Sequence, residues 1–289
     1  MLKINNDEIK IVISDFDGTL RDGHNVIVQS DDVAAIRKVI NDGVYFVLNT
    51  GNLPFEMKNS IENISPISNI NKYIIVSNGN AIHNYLTNEC KVSTYFDNKT
   101  TNQIINKIKN LELIYDITSY DLQTIYYSSS EYRNFMIGLG LSKDAHLNRV
   151  LLTDSVLQEI EKCPKITLKN VKPKDKELVV NMIENDFPNL NIYATWFSPD
   201  GVDFSIAGPN KYQGIISLLK IINNEEKQNI GLNNVVYFGD QHNDYEVFKN
   251  LKYAIAVDNA IPEIKELAYE VTLSAQDQGV AAYLKKITI

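Results

Sequence analysis

A chain of 289 residues with 44% hydrophobic and 22% charged side chains can bury roughly three quarters of its unfolded surface, which excludes wholesale disorder and allows about two domains. Its formal charge is −8 and no Lys/Arg-dense run occurs, which argues against nucleic acid or an anionic membrane as the main partner. The two cysteines, Cys90 and Cys163, have neither C-x-x-C nor Cys/His spacing, which excludes a disulfide scaffold and suits a reducing compartment. The polar start MLKINNDEIK lacks a signal-peptide core, and no apolar run reaches membrane length, so a cytoplasmic location is expected.

Residues 9–14 form a continuous apolar run of buried-strand type. Ser30 caps a helix through residue 40, closed by Gly43, and 44–48 reads as a second buried strand. Pro54 starts a short helix, and 73–77 is a third strand stopped by Asn78-Gly79. Segments 81–85 and 91–96 read as a hairpin around Thr87-Asn88-Glu89. Between 100 and 204, predicted helices (102–111, 155–162, 174–187) mix with aromatic and β-branched strands (122–127, 165–168, 191–197, 202–206), an α+β pattern on an antiparallel sheet. Alternation then returns with helix 211–223, strand 235–238, helix 245–251, strand 253–257 and helices 262–269 and 278–286. One α/β core built from 1–83 and 207–289, interrupted by an inserted domain at 84–206, accounts for this order.

Polar groups cluster just past the ends of the predicted core strands. Asp15 and Asp17 follow the first, Thr50 and Gly51 the second, and Asp240 and Asp244 follow strand 235–238. Ligands of open parallel sheets bind outside those strand ends, so four acids would converge on one site. Packed carboxylates repel one another, and a divalent cation relieves this. Mg²⁺ prefers hard oxygen ligands and takes one or two carboxylates plus substrate phosphate. The cluster therefore predicts Mg²⁺ and a phosphorylated small-molecule substrate. Asp15 suits a carboxylate nucleophile. Asp17 suits the acid that protonates the leaving alkoxide and the base that then activates water. Gly18 permits a tight turn, Thr50 offers a hydroxyl, and Lys211 offers a positive charge.

The chain resembles the haloacid dehalogenase superfamily, specifically its Cof-type phosphatases with a large inserted α/β cap. D-x-D-G-T appears as Asp15, Asp17, Gly18 and Thr19. The strand-end Thr is Thr50, the helix-start Lys is Lys211 followed by Gly214, and G-D-x-x-N-D is Gly239, Asp240, Asn243 and Asp244. The turn at 256–260 and the run Asp277, Gly279, Val280 also match. The resemblance implies a Rossmann-like parallel-sheet core and Mg²⁺-dependent hydrolysis of small phosphomonoesters, sugar phosphates or related metabolites, through an aspartyl-phosphate. It implies Asp15 as nucleophile and metal ligand, and Asp17 as acid/base with its backbone carbonyl on Mg²⁺. Asp240 would be the third protein ligand and Asp244 would orient metal waters, while Thr50, Gly51, Lys211 and Asn243 hold the phosphoryl. Two positions depart from the pattern. Asn52 stands where Arg is common, and Asn78-Gly79-Asn80 replaces N-G-A, a change expected to affect only the junction with the cap.

Two other reactions use the same groups. A phosphomutase of the superfamily would return the phosphoryl to a sugar hydroxyl, and a receiver-type module would merely retain it. His24, His83, His146 and His242 lack metal-ligand spacing and are expected to be structural or solvent-facing, with His24 placed to flank an entrance. Trp196 is expected to serve packing.

Overall fold

The computed structural model describes residues 1–23, 27–111, 113–139 and 145–288, so His24 lies outside the described residues. The chain forms two compact units, Met1–Lys91 with Pro209–Ile289, and Val92–Gly208.

After a short hairpin (Leu2–Ile4 with Asp7–Ile9), the first unit runs β1 (Ile11–Ser14), α1 (Ser30–Asn41), β2 (Tyr45–Asn49), α2 (Pro54–Ile64), β3 (Tyr73–Val76), β4 (Ala81–Asn84) and β5 (Glu89–Val92). The inserted unit contributes α3 (Asn98–Lys109), β6 (Ile114–Thr118), β7 (Ile125–Tyr127), α4 (Ser130–Gly138), β8 (Arg149–Leu151), β9 (Ile166–Lys169), α5 (Lys176–Asp186), β10 (Ile192–Ser198) and β11 (Gly201–Ile206). The first unit then resumes with α6 (Lys211–Glu226), β12 (Val235–Gly239), α7 (Tyr245–Asn250), β13 (Tyr253–Ala256), β14 (Glu270–Val271) and α8 (Gly279–Ile287). Among the described residues no helix is long and apolar enough to cross a membrane.

The first unit's sheet has the order β14-β13-β12-β1-β2-β3-β4-β5. The pairs from β14 to β3 are parallel, and β4 returns antiparallel to β3. Strands β1, β2, β3 and β12 are buried along their whole length, as expected where helices cover both faces. On one face α6 presents Ile215, Leu218, Leu219 and Ile222 at helical spacing to Ile13, Val47, Ile75 and Tyr237. Full burial of each such side chain contributes roughly 1.5–3 kcal/mol. On the other face α1 packs against α8, and the Phe238 and Tyr283 rings meet edge to face at 5.7 Å. Chain order reverses between β1 and β12, so a topological switch point lies at their C-terminal ends. The hairpin β4-β5, expected at the edge of the inserted domain, instead extends this sheet. The units therefore divide at Lys91/Val92 and Gly208/Pro209 rather than at 84 and 206.

Asp32 ties α1 to α8. It is buried, and its Oδ1 accepts the Ala281 N–H at 2.7 Å. Burial pushes its carboxyl up to about 6, partly offset by that hydrogen bond. An unfolded aspartate ionises near pH ~3.9, so the folded state holds its proton longer. The associated stability is full below the unfolded value and is lost as pH rises through about 6. Asp32→Asn keeps the acceptor without the charge. It should stabilise the protein by roughly 1–2 kcal/mol at pH ~8 and change little at pH ~4. Melting temperatures at both pH values check this, and an equal difference at both would contradict it.

The inserted unit's sheet has the order β8-β7-β6-β9-β11-β10, antiparallel except for the parallel pair β7-β8. One face packs Tyr115, Ile117, Ile166, Leu168, Val202 and Phe204 against Ile104, Ile105 and Ile108 of α3. Asp97 caps α3 by accepting the Thr100 N–H at 2.8 Å. Trp196 is partly buried on this core, as its expected packing role requires.

Candidate active site

The loop after β1 is built by its backbone. The Asp15 N–H donates to the Phe238 carbonyl at 2.9 Å, joining the ends of β1 and β12. Gly18 turns the chain at φ +86°, and any Cβ there would strike the Asp240 carboxylate, so glycine is needed for both conformation and room. The next side chain, Thr19, donates its hydroxyl to Asp240 Oδ1 at 2.8 Å.

Lys211 reaches this point from the first position of α6. Asn210 caps the helix by accepting the Gln213 N–H at 2.9 Å. Asn49, the last residue of β2, donates to the Lys211 carbonyl at 3.0 Å. Gly79, at φ +90°, lies against the Asn210 carbonyl where a Cβ would collide. The Lys211 Nζ lies 2.7 Å from both Asp15 Oδ1 and Asp244 Oδ1. Burial alone would lower this lysine's pKa, but the two carboxylates outweigh it and hold the ammonium charged.

Carboxylate oxygens of Asp15, Asp240 and Asp244 lie within 4.8 Å of one another, and all three residues are buried. Burial pushes the Asp15 carboxyl well above the usual range, and Asp244 and Asp240 add to this against the pull of Lys211. Asp240 is pushed up to about 6 by burial and then by Asp244, opposed by the Thr19 hydroxyl. Three carboxylates face one ammonium, so the ionised group carries an excess of two negative charges.

That excess fits a divalent cation, and the donor set shows which oxygens are open to it. Asp244 accepts from Lys211 and Tyr237 (2.5 Å) on Oδ1, and from the N–H groups of Asp240 (2.9 Å) and Gln241 (3.1 Å) on Oδ2. Four donors fill the roughly four lone-pair sites of a carboxylate, so Asp244 anchors Lys211 and the loop after β12. Asp15 and Asp240 each retain free acceptor capacity, which suits Mg²⁺.

The second strand end adds neutral donors. The Thr50 hydroxyl accepts the Asn52 N–H at 3.1 Å, which leaves its own hydrogen to donate. Gly51 lies against the Asn78 carboxamide, and Asn78 accepts from Asn243 Nδ2 at 3.1 Å. Among the described residues the Asn243 carboxamide oxygen is buried without a partner, and its Nδ2 keeps a second N–H beyond the one given to Asn78. The Asp17 side chain stands apart from the buried trio. It accepts from Arg21 and from Asn52.

The sequence motifs thus place Asp15, Asp240, Asp244 and Lys211 in direct contact or close proximity, with Thr50, Gly51 and Asn243 joined through Asn78. Arg21, Asn49 and Tyr237 were missed as supports. Asn78 and Gly79 also support the site, since Asn78 accepts from Asn243 and Gly79 seats the start of α6. The Asn-Gly pair that ends the third predicted strand was the available signal, and Asn78 there takes a left-handed φ of +53°. His83 is buried, and burial takes its pKa down to about 4. It and the exposed His242 and His146 stand outside these contacts.

A family model described as haloacid dehalogenase-like hydrolase matches residues 12–284. The chain is 24% identical over 292 residues to the 5-amino-6-(5-phospho-D-ribitylamino)uracil phosphatase YcsE of Bacillus subtilis, covering 96% of this chain and 95% of that one. It is 24% identical over 281 residues to a phosphoglycolate phosphatase of Methanothermobacter thermautotrophicus, covering 96% and 98%. In fold it is similar to a crystal structure of a haloacid dehalogenase-like hydrolase from Bacteroides thetaiotaomicron, with a TM-score of 0.81, 19% identity, and coverage of 97% and 100%.

Proposed function

This chain belongs to the haloacid dehalogenase-like hydrolase family and is a phosphoric monoester hydrolase, and we propose that it cleaves small phosphorylated metabolites through an aspartyl-phosphate on Asp15. The observation that carries this reading is the buried trio Asp15, Asp240 and Asp244 sharing one lysine at the switch point of the sheet. Two relatives named for small phosphorylated substrates support the substrate class.

In the first half-reaction an Asp15 oxygen attacks phosphorus in line, the ester P–O bond breaks, and Asp17 gives a proton to the leaving oxygen. In the second, Asp17 takes a proton from water as that water displaces the Asp15 oxygen. Lys211, Thr50 and Asn243 offer donors to the equatorial oxygens. Mg²⁺ would be held by Asp15 and Asp240, and when bound it supplies neutralisation of the phosphoryl charge.

Phosphate release from a panel of phosphomonoesters tests the reading. Turnover is expected with Mg²⁺, should fall at least about 100-fold under a chelator and should return when the metal is restored. Chelator-insensitive release, or sugar-phosphate isomers in place of free phosphate, would contradict it.

A further inference from the structure

The loop following Asp15 folds back on itself. The Phe16 carbonyl accepts the N–H groups of Leu20 (3.0 Å) and Arg21 (2.8 Å), and the Gly18 N–H donates to the Arg21 carbonyl at 2.7 Å. Arg21 is thereby returned to the side of Asp17. Its Nε donates to Asp17 Oδ1 at 3.0 Å, and its Nη2 bonds the same oxygen. The guanidinium also sits 4.9 Å from the centroid of the Phe16 ring, a contact that restricts its plane. From the end of β2, Asn52 Nδ2 donates to Asp17 Oδ2 at 2.8 Å. Asn52 is itself fixed, because its N–H donates to Thr50 (3.1 Å) and its carbonyl accepts the Ser77 N–H (3.3 Å).

The terminal torsion of an aspartate is broad and roughly two-fold, so an unrestrained Asp17 would exchange its oxygens freely. Here two N–H groups occupy Oδ1 and one occupies Oδ2. Of about four lone-pair sites on a carboxylate, the one left without a donor among the described residues lies on Oδ2. We propose that Arg21 and Asn52 are positioning residues that lock the Asp17 carboxyl and make Oδ2 the atom that passes the proton. This inference rests on the phosphatase reading. As the Asp15–phosphorus bond forms and the ester bond breaks, the proton on Oδ2 moves to the departing oxygen. When water later displaces Asp15, its proton moves to the same Oδ2.

The test compares kcat/KM for glycerol 2-phosphate and p-nitrophenyl phosphate with Mg²⁺, because kcat/KM reports only the steps through loss of the alcohol. The alkoxide needs a proton to leave, whereas nitrophenolate does not. Arg21→Met should lower kcat/KM on glycerol 2-phosphate by about 30-fold and on p-nitrophenyl phosphate by less than about threefold. Asn52→Ala should show the same bias with a smaller loss, and it keeps the test decisive should Arg21→Met fold poorly. Equal losses on both esters, or no loss on either, would overturn the lock. A readout independent of turnover is the Arg21 Nε–H resonance by nitrogen-15 NMR, which should shift in Asp17→Asn. An unmoved resonance overturns the lock whatever the activity. Absence of turnover of both esters by the wild-type protein, with the resonance shifting, overturns the phosphatase reading instead.

Discussion

Replacing Asp15 with Asn should lower turnover of every phosphomonoester by more than about 10⁴-fold, the scale of loss when a nucleophile is removed, while the protein stays folded. The amide keeps the shape at the end of β1 but cannot displace an alkoxide from phosphorus. The folded state is spared for an electrostatic reason. Asp15 is buried beside Asp240 and Asp244 and its carboxyl is pushed well up, so its ionised form works against folding when no cation is bound. Asp15→Asn removes one of three clustered charges. Its melting temperature in chelator at neutral pH should therefore equal or exceed that of wild type. Activity within tenfold of wild type would contradict the nucleophile assignment, and a collapse in melting temperature would contradict the electrostatic account.

Lys211→Met should be destabilising and inactive together. The Nζ is 2.7 Å from both Asp15 and Asp244, and all three side chains are buried. Removing the cation strands two carboxylates, and breaking such a pair costs about 3–5 kcal/mol. The loss has a definite pH signature. It is largest at high pH, where the Asp15 carboxylate is ionised, and shrinks as pH falls through the raised range into which burial pushes that carboxyl. Mg²⁺ should raise the melting temperature of Lys211→Met more than that of wild type, because the variant carries the larger uncompensated charge. Thermal melts across pH, with and without Mg²⁺, measure both effects. A pH-independent loss with equal Mg²⁺ increments would show that Lys211 acts through packing alone.

The core strands were legible because each buries both faces and so reads as an unbroken apolar run, as in β1 and β12. The acids were legible because they follow those runs directly. Strand β6 was missed for the opposite reason. Its Asp116 interrupts the apolar pattern, yet that side chain is buried on the polar face of the inserted sheet, opposite Tyr127 and Thr167. Helix α4 was missed as well. It buries no residue and so lacks the stripe that marks a core-facing helix. The hairpin β4-β5 was recognised but cut by the domain boundary placed at 84, since antiparallel pairing onto β3 leaves no local mark.

Within the site, the supporting groups were the obscure part. Arg21 reads as an ordinary loop cation until the Phe16–Arg21 turn is seen to return it to Asp17. Asn52 read as a missing positive charge, whereas its amide lies 2.8 Å from Asp17 Oδ2. Tyr237 is hidden inside the apolar run of β12, and only the fold aims its hydroxyl at Asp244. Contacts of this kind join segments far apart in the chain, so no spacing rule reveals them.

The stereochemical course at phosphorus tests the central claim most directly. A thiophosphate ester made chiral with oxygen isotopes would be hydrolysed by the Mg²⁺-loaded enzyme and the configuration of the released thiophosphate read. Two successive in-line displacements, first by Asp15 and then by water, predict overall retention. Inversion would mean that water attacks the substrate directly and that no phosphoryl group ever rests on Asp15.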